Sequence, residues 1–301
     1  MSNTPDRFVD GPKAKLYNLF MDAKLFDGLI DIALKEDMPR GDVTSESIIP
    51  LDSVSRASFL AKEEGVLAGI DVARRVFEKI DPGVSFIKAL EDGRSFEPGD
   101  VLARLKGSSI SLLKGERTAL NFLQRMSGIA TKTREFVRAL EGTKTRILDT
   151  RKTTPGLRSL EKYAVRMGGG DNHRFSLSDM VLIKDNHLEI IGNISEALKR
   201  ARAGIAPGIR VEVEVTGFEG AREALESGAD IIMLDNMPLD KIKEVVDWIG
   251  GRAPVEVSGK ITVESAGKIA ALGVDVISVG ALTHSFRSID ISLEFEGRSG
   301  R

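Results

Sequence analysis

Residues 146–187 run RILDTRKTTPGLRSLEKYAVRMGGGDNHRFSLSDMVLIKDNH. Two short apolar runs frame the stretch, Ile147-Leu148 and Met180-Val181-Leu182-Ile183, and each stops at polar residues. Arg151 and Lys152 follow the first; Lys184, Asp185, Asn186 and His187 follow the second. Between them lie a segment of helical spacing, Leu157 to Met167, then Gly168-Gly169-Gly170 and the pair His173-Arg174. A short apolar run is the mark of a parallel strand buried on both faces, and its carboxyl end is where α/β folds place chemistry. Eight Lys/Arg stand against five Asp/Glu here, so the stretch is basic within a chain of net charge −2. Cations gathered at strand ends predict a pocket for a small molecule carrying several negative charges.

The same pattern continues outward. Apolar strands at 146–149, 180–184, 210–215, 230–234, 254–257 and 275–279 alternate with helices near 157–167, 193–203, 217–227, 239–248 and 262–271. Such alternation implies a parallel sheet, closed into a barrel or doubly wound. The strands end at Thr150-Arg151-Lys152, Lys184-Asp185-Asn186, Glu214, Asp235-Asn236, Ser258-Gly259-Lys260 and Gly280. A barrel directs all six ends to one rim, whereas a doubly wound sheet uses only those at its switch point. The barrel is the expectation. Upstream, Lys114 to Leu140 has an apolar helical face and reads as a connector. Residues 56–106 change to short strands with Glu-Asp-Gly and Pro-Gly-Asp turns around a helix at 71–80, a separate α+β unit. Leu25 to Glu36 has helical spacing, residues 36–47 read as a turn-rich loop, and residues 1–24 as a polar extension.

The 301 residues have room for one large domain or two ordinary ones. The small net charge makes no case for nucleic acid or a membrane surface. The absence of cysteine excludes disulfides, thiolate metal sites and cysteine nucleophiles. No apolar run is long enough to span a bilayer and the N-terminus lacks a signal-peptide core, so a soluble cytoplasmic protein is expected.

Glu212 and Glu214 alternate with valines in VEVEV, so both point to one side of their strand. Glu214 and Asp235, at neighbouring strand ends, suit Mg²⁺ whose shell is completed by phosphate oxygens, or they cap helices. Ser258-Gly259 and Gly280 lie at the last two strand ends, where barrels bind phosphate through backbone amides. A Walker A loop is excluded, because Pro254 stands where its first glycine belongs and Ile261 replaces Ser/Thr. The triple glycine lacks dinucleotide-fingerprint spacing and follows a helix, so it is a turn. His284 is expected to be packed or on the surface. Lys184, ending an apolar strand, also allows a Schiff-base lyase. The strands of 56–106 allow a biotinyl or lipoyl carrier, but this segment lacks the Met-Lys-Met hairpin tip that a carrier needs.

EDMPRGDVT (36–44), GERTALNFLQRMSGIAT (115–131), the block 149–187, VEVEV, IIMLDNM, VEVSGKIT and GVDVISVGALTHS together resemble the quinolinate phosphoribosyltransferase family. The resemblance is collinear over about residues 25–290. It implies an α/β fold, an N-terminal α/β sandwich domain (25–114 with 287–301) followed by a connector helix and an incomplete parallel α/β barrel (115–286). It further implies a homodimer or a dimer-based hexamer with shared active sites. The implied reaction takes quinolinate and 5-phosphoribosyl-1-pyrophosphate, with Mg²⁺, to nicotinate mononucleotide, pyrophosphate and CO₂, a step of NAD biosynthesis. Matched by motif, Arg151, Lys152, His173, Arg174 and Lys184 would line the quinolinate pocket, with Arg117 donated by the neighbouring subunit. Glu214 and Asp235 would serve the Mg-pyrophosphate and ribose side, and with Lys184 form the catalytic set. Ser258, Gly259 and Gly280 would hold the 5-phosphate through their backbone amides, and Lys260 beside them would add its own amide and ammonium. The family usually carries Gly-Gly after the serine, where this chain has Gly259-Lys260.

Overall fold

The computed structural model describes residues 26–296. The predicted extension 1–24 lies outside the described residues. In chain order the first elements are α1 (Asp27–Asp37), α2 (Val43–Ile48), β1 (Val54–Ala61), β2 (Gly65–Val66), α3 (Ile70–Ile80), β3 (Ser85–Ala89), β4 (Ser95–Phe96), β5 (Val101–Ser108) and α4 (Ser109–Ala139). There follow β6 (Arg146–Leu148), α5 (Arg158–Met167), β7 (Val181–Ile183), α6 (Asp185–Ile191), α7 (Ile194–Gly204), β8 (Val211–Val215), α8 (Phe218–Glu226) and β9 (Ile231–Asp235). The last are α9 (Leu239–Ile249), β10 (Val255–Ser258), α10 (Val263–Ala270), β11 (Val276–Ser278), α11 (Ala281–His284) and β12 (Ile291–Phe295). Among the described residues they form two compact units, one of residues 26–132, 155–169 and 286–296, the other of 133–154 and 170–285. No helix among the described residues is long and apolar enough to cross a membrane.

The first unit is built on an antiparallel sheet of order β12-β1-β5-β3. Alternation in β1 buries Ala57, Phe59 and Ala61 on one face. Helix α3 covers that face with Val72, Ala73, Val76 and Phe77, and the Phe59 and Phe77 rings lie 6.3 Å apart. Helix α4 packs so closely on α3 that a Cβ on Gly115 would fall 2.4 Å from the Phe77 ring. The compact units divide inside α4, at 132/133. The chain's end returns to this unit: Ile289 N–H donates to Gln124 O at 3.1 Å and β12 zips antiparallel onto β1. Residues 43–48 are a helix where a loop is expected, because Asp42 caps them, accepting from Thr44 N and Ser45 N at 3.0 and 3.1 Å.

The second unit holds six parallel strands in the order β6-β11-β10-β9-β8-β7. Each of β7 to β10 pairs with the next in sequence, and β11 pairs with the first, β6, in the cyclic order of a barrel. The seam between β6 and β7 stays open, which makes the barrel incomplete. Along the seam the loop residue Asp171 extends β6 instead: Asp171 N donates to Ile147 O at 2.8 Å and Asp149 N to Asp171 O at 3.2 Å. Val211, Val213, Ile232, Leu234, Val257 and Ile277 are buried between sheet and helices. The expected strands and helices of this unit fall within a residue or so of the observed ones. Helices α6 and α11 are the exceptions; none of the seven residues of α6 is buried, and α11 is a single turn of four residues.

Candidate active site

The six strand ends of the barrel open into one cavity of about 730 Å³. Its wall takes Arg151 and Lys152 after β6, Lys184 after β7, Glu214 from β8, Asp235 from β9, Ser258, Gly259 and Lys260 after β10, and Gly280 after β11. His173 and Arg174 complete it from the seam loop. All sequence-identified site residues meet here except Arg117, which stands exposed on α4 in the first unit.

The seam loop is held by Asp149, a fully buried carboxylate at the end of β6. It accepts from His173 N at 2.9 Å and Asn172 Nδ2 at 2.5 Å, and this fixes where His173 and Arg174 enter the barrel. The His173 ring turns to the barrel floor, with Nε2 3.1 Å from Glu212 Oε2 and 3.5 Å from Glu256 Oε2. Its Nδ1 lies 2.7 Å from Arg174 N, and Nε2 carries a proton between the carboxylates. Burial favours the neutral ring, but Glu256 and Glu212 outweigh it and push the His173 pKa up to about 10. Burial and Glu256 raise the Glu212 carboxyl; burial acts on Glu256 as well, but His173 overcomes it and holds that carboxyl low. These three side chains bring donor atoms within 4.8 Å of one another, yet a metal ligand would need Nε2 bare. They are better suited to lock a ring than to hold a metal.

Above this floor the cations crowd one another. Arg174 is buried, donates to Met180 O at 3.0 Å, and has its pKa pulled down by burial and by neighbouring Arg151. A guanidinium keeps its proton regardless, so an anion entering between Arg151 and Arg174 is favoured by both. The Nε of Arg151 is buried without a hydrogen-bond partner among the described residues. Lys184 is ion-paired with Glu214.

The opposite wall is made for close approach of backbone. Asn236 N donates to Ser258 O at 3.0 Å, tying the ends of β9 and β10. Gly259 then has φ +102°, and a Cβ there would fall 2.4 Å from Asn236 Oδ1. Asn236 and Lys260 also have left-handed φ, 53° and 49°, the sole described non-glycine residues that do. At Gly280 a Cβ would meet Lys152 Cδ at 2.9 Å and His284 Cδ2 at 3.2 Å. The Thr283 hydroxyl donates to Lys152 O at 2.8 Å and anchors that loop. His284, expected to be packed or superficial, lines the cavity, as do Thr150, Asn236, Glu256 and Ser278. For His284 the available signal was its position four residues after the strand-end glycine.

Comparison with known proteins agrees with this architecture. A family model for the quinolinate phosphoribosyl transferase N-terminal domain matches residues 42–127, and one for the C-terminal domain matches residues 129–294. The chain is 47% identical over 259 residues to a probable carboxylating nicotinate-nucleotide pyrophosphorylase of Bacillus subtilis, covering 86% of this chain and 89% of that one. It is 43% identical to the carboxylating nicotinate-nucleotide pyrophosphorylase of Mycobacterium leprae, covering 87% of this chain and 94% of that one. The crystal structure of NadC from Streptococcus pyogenes superposes with a TM-score of 0.88 at 43% identity, over 91% of this chain and 97% of that one.

Proposed function

The chain belongs to the quinolinate phosphoribosyltransferase family, and from that premise we propose how its residues divide the work. The enzyme transfers phosphoribosyl from 5-phosphoribosyl-1-pyrophosphate to quinolinate with decarboxylation, giving nicotinate mononucleotide, pyrophosphate and CO₂ in NAD biosynthesis. Arg151, Lys152, Arg174 and Lys184 receive the two adjacent carboxylates of quinolinate. The observation that carries this assignment is the convergence of Arg151, Lys152, Arg174 and Lys184 on one cavity, with the Nε of Arg151 buried and lacking a hydrogen-bond partner among the described residues. Paired carboxylates match guanidinium forks. His173, held from below by Glu212 and Glu256, fixes the floor on which the ring rests.

The pyridine nitrogen supplies the electron pair that forms the new bond to C1 of the ribose, and the C1–O bond breaks with its electrons leaving on pyrophosphate. No side-chain nucleophile is needed. With the ring cationic, the bond from C2 to its carboxylate breaks, CO₂ departs and C2 keeps the electron pair until it takes a proton. Lys184, an ammonium held by Glu214, stabilises charge at that carbon. A dry pocket favours loss of the charged group. The ion pair with Glu214 also argues against the Schiff-base reading, which needs a neutral amine.

Glu214 and Asp235 suit Mg²⁺ that arrives with pyrophosphate, since that ion keeps phosphate oxygens and takes one or two protein carboxylates. Each has one oxygen on a nitrogen donor, Lys184 or Asn236 Nδ2, and the other without a protein partner among the described residues. When bound, the metal neutralises charge gathering on the leaving pyrophosphate. Ser258, Gly259, Lys260 and Gly280 present backbone to the 5-phosphate. Arg117 reaches the quinolinate pocket of a second subunit in a homodimer, the unit also of any hexamer, and the enzyme works in the cytoplasm. Turnover with quinolinate and with nicotinate, each with 5-phosphoribosyl-1-pyrophosphate and Mg²⁺, tests the reading. CO₂ release from quinolinate and little reaction of nicotinate are expected, and comparable turnover of nicotinate would sink it.

A further inference from the structure

We propose that the side chain of Lys260, and not its backbone alone, is a ligand of the sugar 5-phosphate. The inference rests on the preceding reading, which puts that phosphate at the ends of β10 and β11. Its own support is a conjunction at one residue. Lys260 holds a left-handed backbone, φ 49°, a conformation that disfavours any side chain with a Cβ. Asn236, the other described non-glycine residue with such a φ, faces the same cavity. Asparagine tolerates this conformation because its short amide bonds locally; Asn236 Nδ2 donates to Asp235 Oδ2 at 2.6 Å. Lysine has no such compensation.

Nor does the fold use the ammonium. Lys260 is exposed, lines the cavity, and has no ion pair or side-chain hydrogen bond among the described residues. Residues held in such sparsely populated backbone conformations cluster at active sites and ligand clamps. The loop Gly259-Lys260-Ile261 joins β10 to α10, whose first residues are capped by Thr262 accepting from Ser265 N. Amides at this junction and a mobile ammonium beside them suit a phosphate dianion, which takes several donors at once. An ammonium on a four-carbon stem can follow the phosphate as the sugar moves during transfer, which a backbone amide cannot.

The test uses ribose 5-phosphate, which carries this phosphate without the pyrophosphate. In the wild-type enzyme its titration should shift the amide resonances of Gly259, Lys260 and Gly280. Lys260→Gly and Lys260→Asn both accept the left-handed backbone, so both should keep or raise the melting temperature. Both should bind ribose 5-phosphate about tenfold more weakly by calorimetry, the share of one charge-assisted bond, and both should raise KM for 5-phosphoribosyl-1-pyrophosphate. Affinity for pyrophosphate alone should be unmoved. If the amide shifts fall elsewhere, the location of the phosphate is wrong and this proposal goes with it. If they fall as stated and both variants bind ribose 5-phosphate as the wild type does, Lys260 contributes only backbone and the proposal is overturned.

Discussion

His173 is the side chain on which the barrel floor closes, and its environment gives stability a definite pH dependence. Below pH ~6.5 the ring is protonated in both folded and unfolded chains, and its partnership with Glu212 and Glu256 counts in full. Between there and about 10 the unfolded ring is neutral while the folded one holds its proton, so folding takes up a proton. Stability therefore falls as pH rises through that window. His173→Gln should flatten the decline, measured as the urea midpoint at pH 6 and pH 9.5; an equal decline in the variant would place its source elsewhere. None of this was legible beforehand. The sequence marks His173 as one cation among several, and its two acidic partners lie thirty-nine and eighty-three residues away in strands where they look like ordinary polar alternation.

At the scale of elements, glycines separate close approach from open space. Gly128 on α4 faces the returning chain so tightly that a Cβ would fall 2.1 Å from the Arg287 carbonyl oxygen. Backbone on both sides leaves nothing flexible to give way, so Gly128→Ala should cost about 3 kcal/mol by overpacking. Gly204, ending α7, has nothing within 4 Å of a built Cβ, and Gly204→Ala should stabilise by a few tenths to about 1 kcal/mol. Urea unfolding of the two variants checks both signs. The barrel's elements were legible because each strand is an apolar run ended by polar residues and each helix shows an apolar stripe. Helix α6 was not, having no buried side chain, and α2 was hidden because its cap, Asp42, sits in a run of turn residues. The convergence of the rim was legible, since parallel strands share one direction. The distances at Gly259 and Gly280 were not, because they depend on neighbours remote in sequence.

For the whole molecule, the proposed donation of Arg117 between subunits has a counting consequence. Arg117→Ala and Lys184→Ala should each be nearly inactive. Unfolded, mixed in equal amounts and refolded together, they should recover activity at about a quarter of sites in a randomly paired two-fold dimer. A mixture that stays dead, with mixed dimers shown to form, would place Arg117 outside the site. The pairing of β12 with β1 bears on how such a chain is made. Ala61 of β1 meets Ile291, roughly 230 residues further on. At ~5–20 residues per second, β1 leaves the ribosome roughly 10–50 s before its outer neighbour exists. All the barrel strands emerge in that interval, so the barrel can be complete while the sandwich still offers an open strand edge, a template for wrong pairing. The nascent chain is thus most exposed to aggregation through the domain whose synthesis began first, and a premature stop before residue 291 would leave that edge open permanently.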